Sequence, residues 1–114
     1  RYGAMVREQN EKTEKTLDTI GVPDPDVKLV TNGVQHLGWT VLSYYYKDNE
    51  VVNGGYDMAE ADRFWYFNPY ELEQETLEEI EQNGMSVTVY GENQIAVYPF
   101  YLYYFERDSV QSIP

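Results

Sequence analysis

The first twenty residues carry their apolar side chains at helical spacing. Intervals of three, four and seven residues separate the members of one stripe, which are Tyr2, Met5, Val6, Thr13, Leu17 and Ile20. A polar run of mixed charge lies between them, so one face of the segment is solvated and the other is available for packing. Gly21 is a suitable C-terminal stop, and two prolines within residues 22–26 prevent the helix from continuing. The pattern predicts a helix over residues 2–20.

The spacing of apolar side chains becomes that of β-strands after residue 26. Asn32-Gly33 is a strong signal for a two-residue hairpin turn, and Gly38 marks a bulge in the long β-prone run that follows it. The pattern therefore predicts two successive hairpins and one further strand. The strands of the hairpins are residues 27–30, 34–46 and 50–52, with a second turn at 47–49, and the further strand is residues 63–67.

A second helix is predicted in the middle of the chain. Asn68 is a suitable N-cap, Pro69 suits the first helical position, and Glu71 stands three residues after the cap, as in a capping box. The Asn-Gly pair at 83–84 matches the left-handed geometry that ends many helices. These signals predict a helix over residues 69–82.

The last part of the chain predicts a third hairpin. Residues 85–90 and 94–105 are rich in β-branched and aromatic side chains, and residues 91–93 contain the glycine and asparagine of a turn. Pro99 cannot donate a backbone hydrogen bond to a neighbouring strand. It therefore indicates a sheet edge or a bulge at that point.

The order of these elements, with strands following each of two helices, indicates an α+β fold. We expect an antiparallel sheet of hairpins, with the N-terminal helix and the central helix (about 69–82) packed on one face. Because 114 residues suffice for one core and not for two, the chain is expected to be a single domain over 1–114. Residues 1–20 are its helical lead-in, and residues 27–114 are its body of sheet and helix.

Composition adds a strong negative charge and many tyrosines to this picture. Twenty Asp and Glu residues oppose eight Lys and Arg, for a formal net charge of −12, and twelve residues are Tyr. The aromatic content distinguishes the chain from acidic disordered proteins. The charge argues against direct binding to nucleic acid and favours a basic partner, because nucleic-acid binding depends on Lys and Arg. The chain has no cysteine, which excludes disulfides, thiolate zinc sites and cysteine nucleophiles.

No pattern of catalytic or ligand-binding residues stands out. The single histidine, His36, has no second histidine or cysteine with which to bind zinc, and the acids at 24–26, 48–50 and 57–62 lack the spacing of a calcium loop. Glycine-rich phosphate loops and nucleophile motifs are missing. The sequence predicts a protein without catalysis, cofactor or metal. Weak calcium binding and a carboxylate enzyme, which requires two acids with displaced pKa values in one pocket, stay open as alternatives.

The location of the protein depends on what precedes Arg1. No apolar run reaches the length of a membrane span, so no membrane span is expected in this chain. A leader or anchor removed before Arg1 would indicate an extracytoplasmic protein, whereas a true start at Met5 would indicate a cytoplasmic one. A third alternative is that the sequence is a domain cut out of a longer protein, and all three are left open.

Tyrosine and glutamate side chains are the candidate interaction residues. Consecutive side chains of a strand point to opposite faces, so runs of tyrosine cannot all enter one core. Two predicted strands supply the tyrosine candidates, which are Tyr44, Tyr45, Tyr46, Tyr101, Tyr103 and Tyr104. Residues 67–114 contain nine acidic residues and one basic residue. The predicted central helix supplies three acidic candidates, Glu71, Glu75 and Glu78.

Two functions fit these surfaces. The first is a non-catalytic protein–protein interaction or assembly domain, whose Tyr-rich sheet face binds another protein or a second copy of the chain. The second is a small acidic inhibitor or immunity-type protein, which mimics nucleic acid and blocks a basic nucleic-acid-binding partner. The first is preferred, because it requires only that the chain fold and leave some tyrosines on its surface.

Overall fold

The computed structural model describes residues 2–33 and 37–108. It has a mixed α+β fold with one five-stranded sheet. Helix α1 is Tyr2–Ile20, as its apolar spacing predicts, and a π-helical segment at Leu37–Leu42 continues into a short helix. The remaining elements are β1 (Lys28–Thr31), α2 (Ser43–Tyr45), β2 (Val51–Asn53), a 3₁₀ turn (Tyr56–Met58), β3 (Arg63–Asn68), α3 (Gln74–Gln82), β4 (Met85–Ile95) and β5 (Tyr98–Arg107).

The sheet is mixed, so the prediction of an antiparallel sheet of hairpins is wrong. Its strand order is β2-β1-β3-β5-β4. β1 runs parallel to both β2 and β3, whereas β5 runs antiparallel to β3 and β4. A parallel pair needs a long crossover, and the helical segments between β1 and β2 provide it.

The β-prone run predicted as a strand over residues 34–46 is helical from Leu37 to Tyr45, and residues 34–36 lie outside the described part of the chain. Leu37 and Leu42 are fully buried, and Tyr46 is 7% exposed. Their separation by about one helical turn brings them to the same core. Packing therefore overrides the local strand preference of this segment. Both predicted N-terminal hairpins shared this segment as a strand, so neither of them forms, although β2 itself does.

Helix α3 is shorter than the predicted helix. It begins at Gln74, and Asn68 is the last residue of β3 and not an N-cap. The Asn68 side chain is buried and accepts a hydrogen bond from the Tyr66 hydroxyl (3.0 Å), so it is not free to cap a helix. The predicted C-terminal end is confirmed, since α3 ends at Gln82 and Gly84 adopts φ +92°.

The third predicted hairpin forms, but its turn lies elsewhere. β4 and β5 pair in antiparallel fashion around Ala96 and Val97, and the predicted turn at 91–93 is instead inside β4. A β-bulge interrupts β4 between Val89 and Gly91, and Gly91 adopts φ +75°. Pro99 is tolerated because β3 has already ended there, so its missing N–H leaves no β3 acceptor unpaired.

Apolar side chains cover both faces of the sheet. In β3, Trp65 and Phe67 belong to one core cluster, and Phe64 and Tyr66 belong to a second on the opposite face. We call the first the α1 face, because Ile20 of α1 packs there, and the second the α3 face, because α3 packs there through its Leu77 and Ile80. The prediction that both helices pack on one face is therefore wrong.

Candidate interaction surfaces

The first tyrosine run lies on a helix. Tyr44 and Tyr45 of α2 are 67% and 42% exposed, and their rings meet edge to face with centroids 5.1 Å apart. Tyr46 points into the core of the α1 face, and burial raises the pKa of its hydroxyl. Two of these three candidates are thus accessible, and Tyr46 is a core residue that offers little contact area.

The second tyrosine run divides between the two faces of the sheet. Tyr103 is buried on the α3 face, where its hydroxyl accepts a hydrogen bond from the Leu72 backbone N–H (2.8 Å). Tyr101 is half-buried on the same face, and the neighbouring carboxylate of Glu92 raises its pKa. Tyr104 is half-buried on the α1 face. Tyr103 is therefore structural, whereas Tyr101 and Tyr104 retain accessible surface.

Three aromatic rings form a continuous strip across β3, β5 and β4 on the α1 face. The ring of Trp65 lies 4.8 Å from that of Tyr104 and 5.3 Å from that of Tyr90, measured between centroids. Tyr90 is 42% exposed. We call these three residues the aromatic strip. Sequence reasoning missed Tyr90, and the useful signal was its position in an uncharged run of β-prone residues.

Helix α1 covers one half of the outer edge of β4. β4 is the last strand of the sheet, so its outer backbone groups have no neighbouring strand within the described chain. The hydroxyl oxygen of Thr16 accepts from the Gln94 N–H (3.2 Å), and that of Thr13 accepts from the Ala96 N–H (2.9 Å). These bonds satisfy the donors that the edge would otherwise leave exposed.

The other half of the β4 edge lacks such hydrogen bonds to any described residue. The Gly84 carbonyl accepts from the Asp108 N–H (2.8 Å), so it faces β5. The alternation of an antiparallel ladder then directs the backbone groups of Met85, Val87 and Val89 outward. The bulge shifts this alternation by one residue and turns Gln94 outward towards α1. We call residues 85–90 the free edge segment. No described residue hydrogen-bonds to the outward backbone groups of Met85, Val87 or Val89, whereas the Tyr90 carbonyl at the end of the segment accepts from the Asn93 side-chain amide (3.3 Å).

The acidic candidates lie on the α3 side. Glu75 and Glu78 are exposed on α3, and Glu71 is exposed in the loop before it, where its charge also raises the pKa of Tyr101. The structure therefore does not place all three on one helix. No lysine or arginine occurs between residues 64 and 106, so the segment that carries these three glutamates contains no basic side chain to offset their charge.

Ion pairs with arginine neutralise some of the acidic residues outside the α3 side. The Arg63 guanidinium binds the carboxylates of Asp24 (3.3 Å) and Asp26 (2.7 Å), and it lowers the pKa of Asp26. Arg107 binds Asp62 at 2.9 Å. Two of the acid clusters considered for calcium are thereby engaged with arginine. Within the described ranges, no group of three or more His, Asp or Glu is arranged to hold a metal, and His36 lies outside them.

None of the described helices is both long enough and apolar enough to cross a membrane. Comparison with known proteins finds no matching family model, no similar curated protein and no similar solved structure. The physical properties of the free edge segment, the aromatic strip and the acidic α3 side are therefore the guides to function.

Proposed function

We propose that this chain is a non-catalytic protein–protein interaction domain that binds its partner through the free edge segment and the aromatic strip beside it. The observation that carries the proposal is the division of the β4 edge. Threonine hydroxyls of α1 accept hydrogen bonds from the outward backbone N–H groups of Gln94 and Ala96. The outward backbone groups of Val87 and Val89 form no hydrogen bond with a described residue.

Exposed strand edges are normally protected, because their unpaired backbone groups pair readily with another chain. Natural edges carry inward charges, prolines or very short strands for this reason. The free edge segment has the sequence Met-Ser-Val-Thr-Val-Tyr, without charge or proline, and it lies in a strand of 11 residues. Val89 is 50% exposed. The segment has the properties of a docking strand.

The aromatic strip adds side-chain area to this edge. Tyrosine makes rigid amphipathic contacts at a low entropic cost, and it is enriched in protein interfaces. Tyr90 lies in the segment itself, and Tyr104 lies in the next strand. This proposal keeps the Tyr-rich sheet surface of the sequence-based hypothesis but reduces it to one strip, since Tyr46 and Tyr103 belong to the core.

Site-specific photo-crosslinking tests the proposal. A benzoylphenylalanine placed at Thr88, within the free edge segment, should form an adduct with a partner protein or a second copy of the chain in cells that express it. The same group at Tyr45, which is exposed on α2, is the matched control. The Val89→Pro substitution removes an outward N–H and should lower the yield at position 88 by about tenfold, equivalent to about 1.4 kcal/mol. Equal yields from positions 88 and 45 would contradict the proposal.

The second candidate function is that of a protein that mimics nucleic acid. The acidic side chains of α3 and of the loop before it favour this function, because no lysine or arginine accompanies them in that part of the sequence. Glu71, Glu75 and Glu78 are exposed in a stretch without lysine or arginine. In this case a crosslinker on α3, at Glu81, should capture a basic protein, and added duplex DNA should compete with the adduct.

Charge removal separates this candidate from the first. Changing Glu71, Glu75 and Glu78 together to glutamine should lower the yield at position 81 by about tenfold at low salt and by less at high salt. The matched control changes Glu11, Glu14 and Asp18 of α1, which are also exposed, to the corresponding amides. If both triple variants lower the yield equally, only the net charge matters, and a specific acidic binding surface formed by α3 and the loop before it is ruled out.

A further inference from the structure

We infer that the occupant of the free edge segment is an extended strand of another protein that carries basic residues at one end, the end that lies over Met85. This inference rests on the proposed function and names the partner of the same surface. The strand adds to the sheet beside β4 and extends it from five strands to six.

The length and geometry of the free edge segment set the binding mode. Three residues, Met85, Val87 and Val89, direct both backbone groups outward, which matches a partner strand of about five residues. Helix α1 limits the addition at the other end, because Thr16 already occupies the Gln94 N–H. The partner strand must therefore end near Tyr90.

The distribution of charge determines which end of the partner is basic. Near Met85, Glu106 lies opposite Ser86, and Asp108 accepts a hydrogen bond from the Ser86 hydroxyl (2.6 Å). Glu81 precedes Met85 by four residues, and all three acids are exposed. Two arginines lie at this end, and both are in ion pairs. Arg107, opposite Met85, binds Asp62, and Arg63, opposite Glu106 on β3, binds Asp24 and Asp26. This end of the segment is therefore negative.

The Tyr90 end is different. A groove of about 480 Å³ separates α1 from β4 there, and the lysines Lys12 and Lys15 of α1 line it together with Tyr90 and Glu92. The Tyr90 end thus has two lysines of α1 beside Glu92, whereas the Met85 end has the exposed acids Glu81, Glu106 and Asp108. Antiparallel addition, which is slightly more stable than parallel addition, places the basic residues at the C-terminal end of the partner strand.

The same charges disfavour a second copy of the chain as the occupant. Antiparallel pairing of two copies centred on Thr88 would place Glu92 of one copy opposite Gly84 of the other, close to that copy's Glu81 and Asp108. Like charges opposed in this way are destabilising. The formal charge of −12 on each copy adds a general repulsion.

Three synthetic peptides test the inference on the isolated protein. The probes are acetyl-TVTVTKK-amide, acetyl-KKTVTVT-amide and acetyl-TVTVTEE-amide, and binding is followed by amide NMR shifts. The first peptide should bind about tenfold more tightly than the third at low salt, with the second between them, and the difference should shrink as salt rises. Shifts should concentrate at residues 85–90. The amides of the other edge strand, Val51–Asn53, serve as the internal control.

Variants at one position separate backbone pairing from side-chain contact. Val89→Pro should weaken binding of the first peptide by about tenfold, whereas Val89→Thr, which keeps the N–H, should stay within about twofold. If Val89→Pro does not fold, the three-peptide comparison on the natural protein still decides the matter.

The outcomes distinguish this inference from the proposed function. If the lysine and glutamate peptides bind equally well at residues 85–90, the inference of a basic partner strand is wrong, and the proposal that this edge is a docking site stands. A concentration-dependent dimer with protected amides at 85–90 assigns the edge to a second copy. If no peptide binds while crosslinks from Thr88 still form, strand addition is wrong and the interaction surface remains. Absence of both contradicts both proposals.

Discussion

Replacement of Phe67 by alanine is expected to lower the free energy of unfolding by about 3–5 kcal/mol, because Phe67 fills the centre of the α1 face. Its side chain has no solvent exposure, and its ring meets that of Phe100 edge to face with centroids 5.0 Å apart. Removal of the ring loses both the buried area and this contact, and β3 cannot collapse into the cavity while it is paired with β1 and β5. Urea denaturation followed by circular dichroism measures the change.

The matched control is Tyr44→Ala. Tyr44 is aromatic but 67% exposed, so its removal should change the free energy of unfolding by about 0.5 kcal/mol or less. Similar losses for the two variants would mean that Phe67 is not in a packed core and that the layered arrangement is incorrect.

The Asn68→Ala variant is expected to lose about 2–4 kcal/mol, because one buried amide joins three parts of the chain. The Asn68 side-chain oxygen accepts hydrogen bonds from Tyr66 (3.0 Å) and from the Asn32 amide (3.3 Å). Its amide nitrogen donates to the Tyr70 carbonyl (2.6 Å). Truncation leaves the buried Tyr66 hydroxyl without this acceptor and releases the loop before α3. Asn53→Ala, at an exposed position in β2, is the control for asparagine loss.

A double-mutant cycle with Tyr66→Phe sharpens this second prediction. Burial raises the pKa of Tyr66 to about 12, which agrees with a hydroxyl held in the core. Because the Tyr66 hydroxyl donates to Asn68, the losses of the two single variants should not add, and the coupling should be at least about 0.5 kcal/mol. If the losses are additive, the hydrogen bond between Tyr66 and Asn68 contributes nothing to stability, and the loss in each single variant comes from packing alone.

Both predictions bear on the function, since a sheet packed on both faces offers few places to bind. Phe67 and Tyr66 lie in opposite cores, so most of the sheet surface is already used for folding. The surface left accessible is then mainly at strand edges and at marginal side chains such as Tyr90 and Tyr104. This is the reason that the free edge segment, and not a broad aromatic face, carries the proposal.

The sequence was most informative where local signals and tertiary packing agreed. The spacing of apolar residues predicted α1 with its observed bounds, and the Asn-Gly pair at 83–84 predicted the end of α3. The strands at 63–67 and 85–105 were recognisable from their β-branched and aromatic content. These elements depend on side-chain period and cap chemistry, which are properties of neighbouring residues.

The sequence failed where one segment had to choose between partners. Residues 37–45 prefer strands locally, but Leu37 and Leu42 reach the core only when the segment is helical. Asn68 has the chemistry of an N-cap, yet its amide forms more hydrogen bonds at the end of β3. Such choices depend on groups up to 36 residues away, such as Asn32, and no local pattern reports them.

The candidate surfaces follow the same division. The sequence alone established the negative charge, the absence of basic residues from 64 to 106 and the richness in tyrosine, because composition is independent of folding. Only the tertiary structure decided which tyrosines are buried and that β4 is the outermost strand. It also decided that α1 covers one half of that edge and that the other half pairs with nothing in residues 2–33 and 37–108, because exposure and pairing arise from contacts between distant segments.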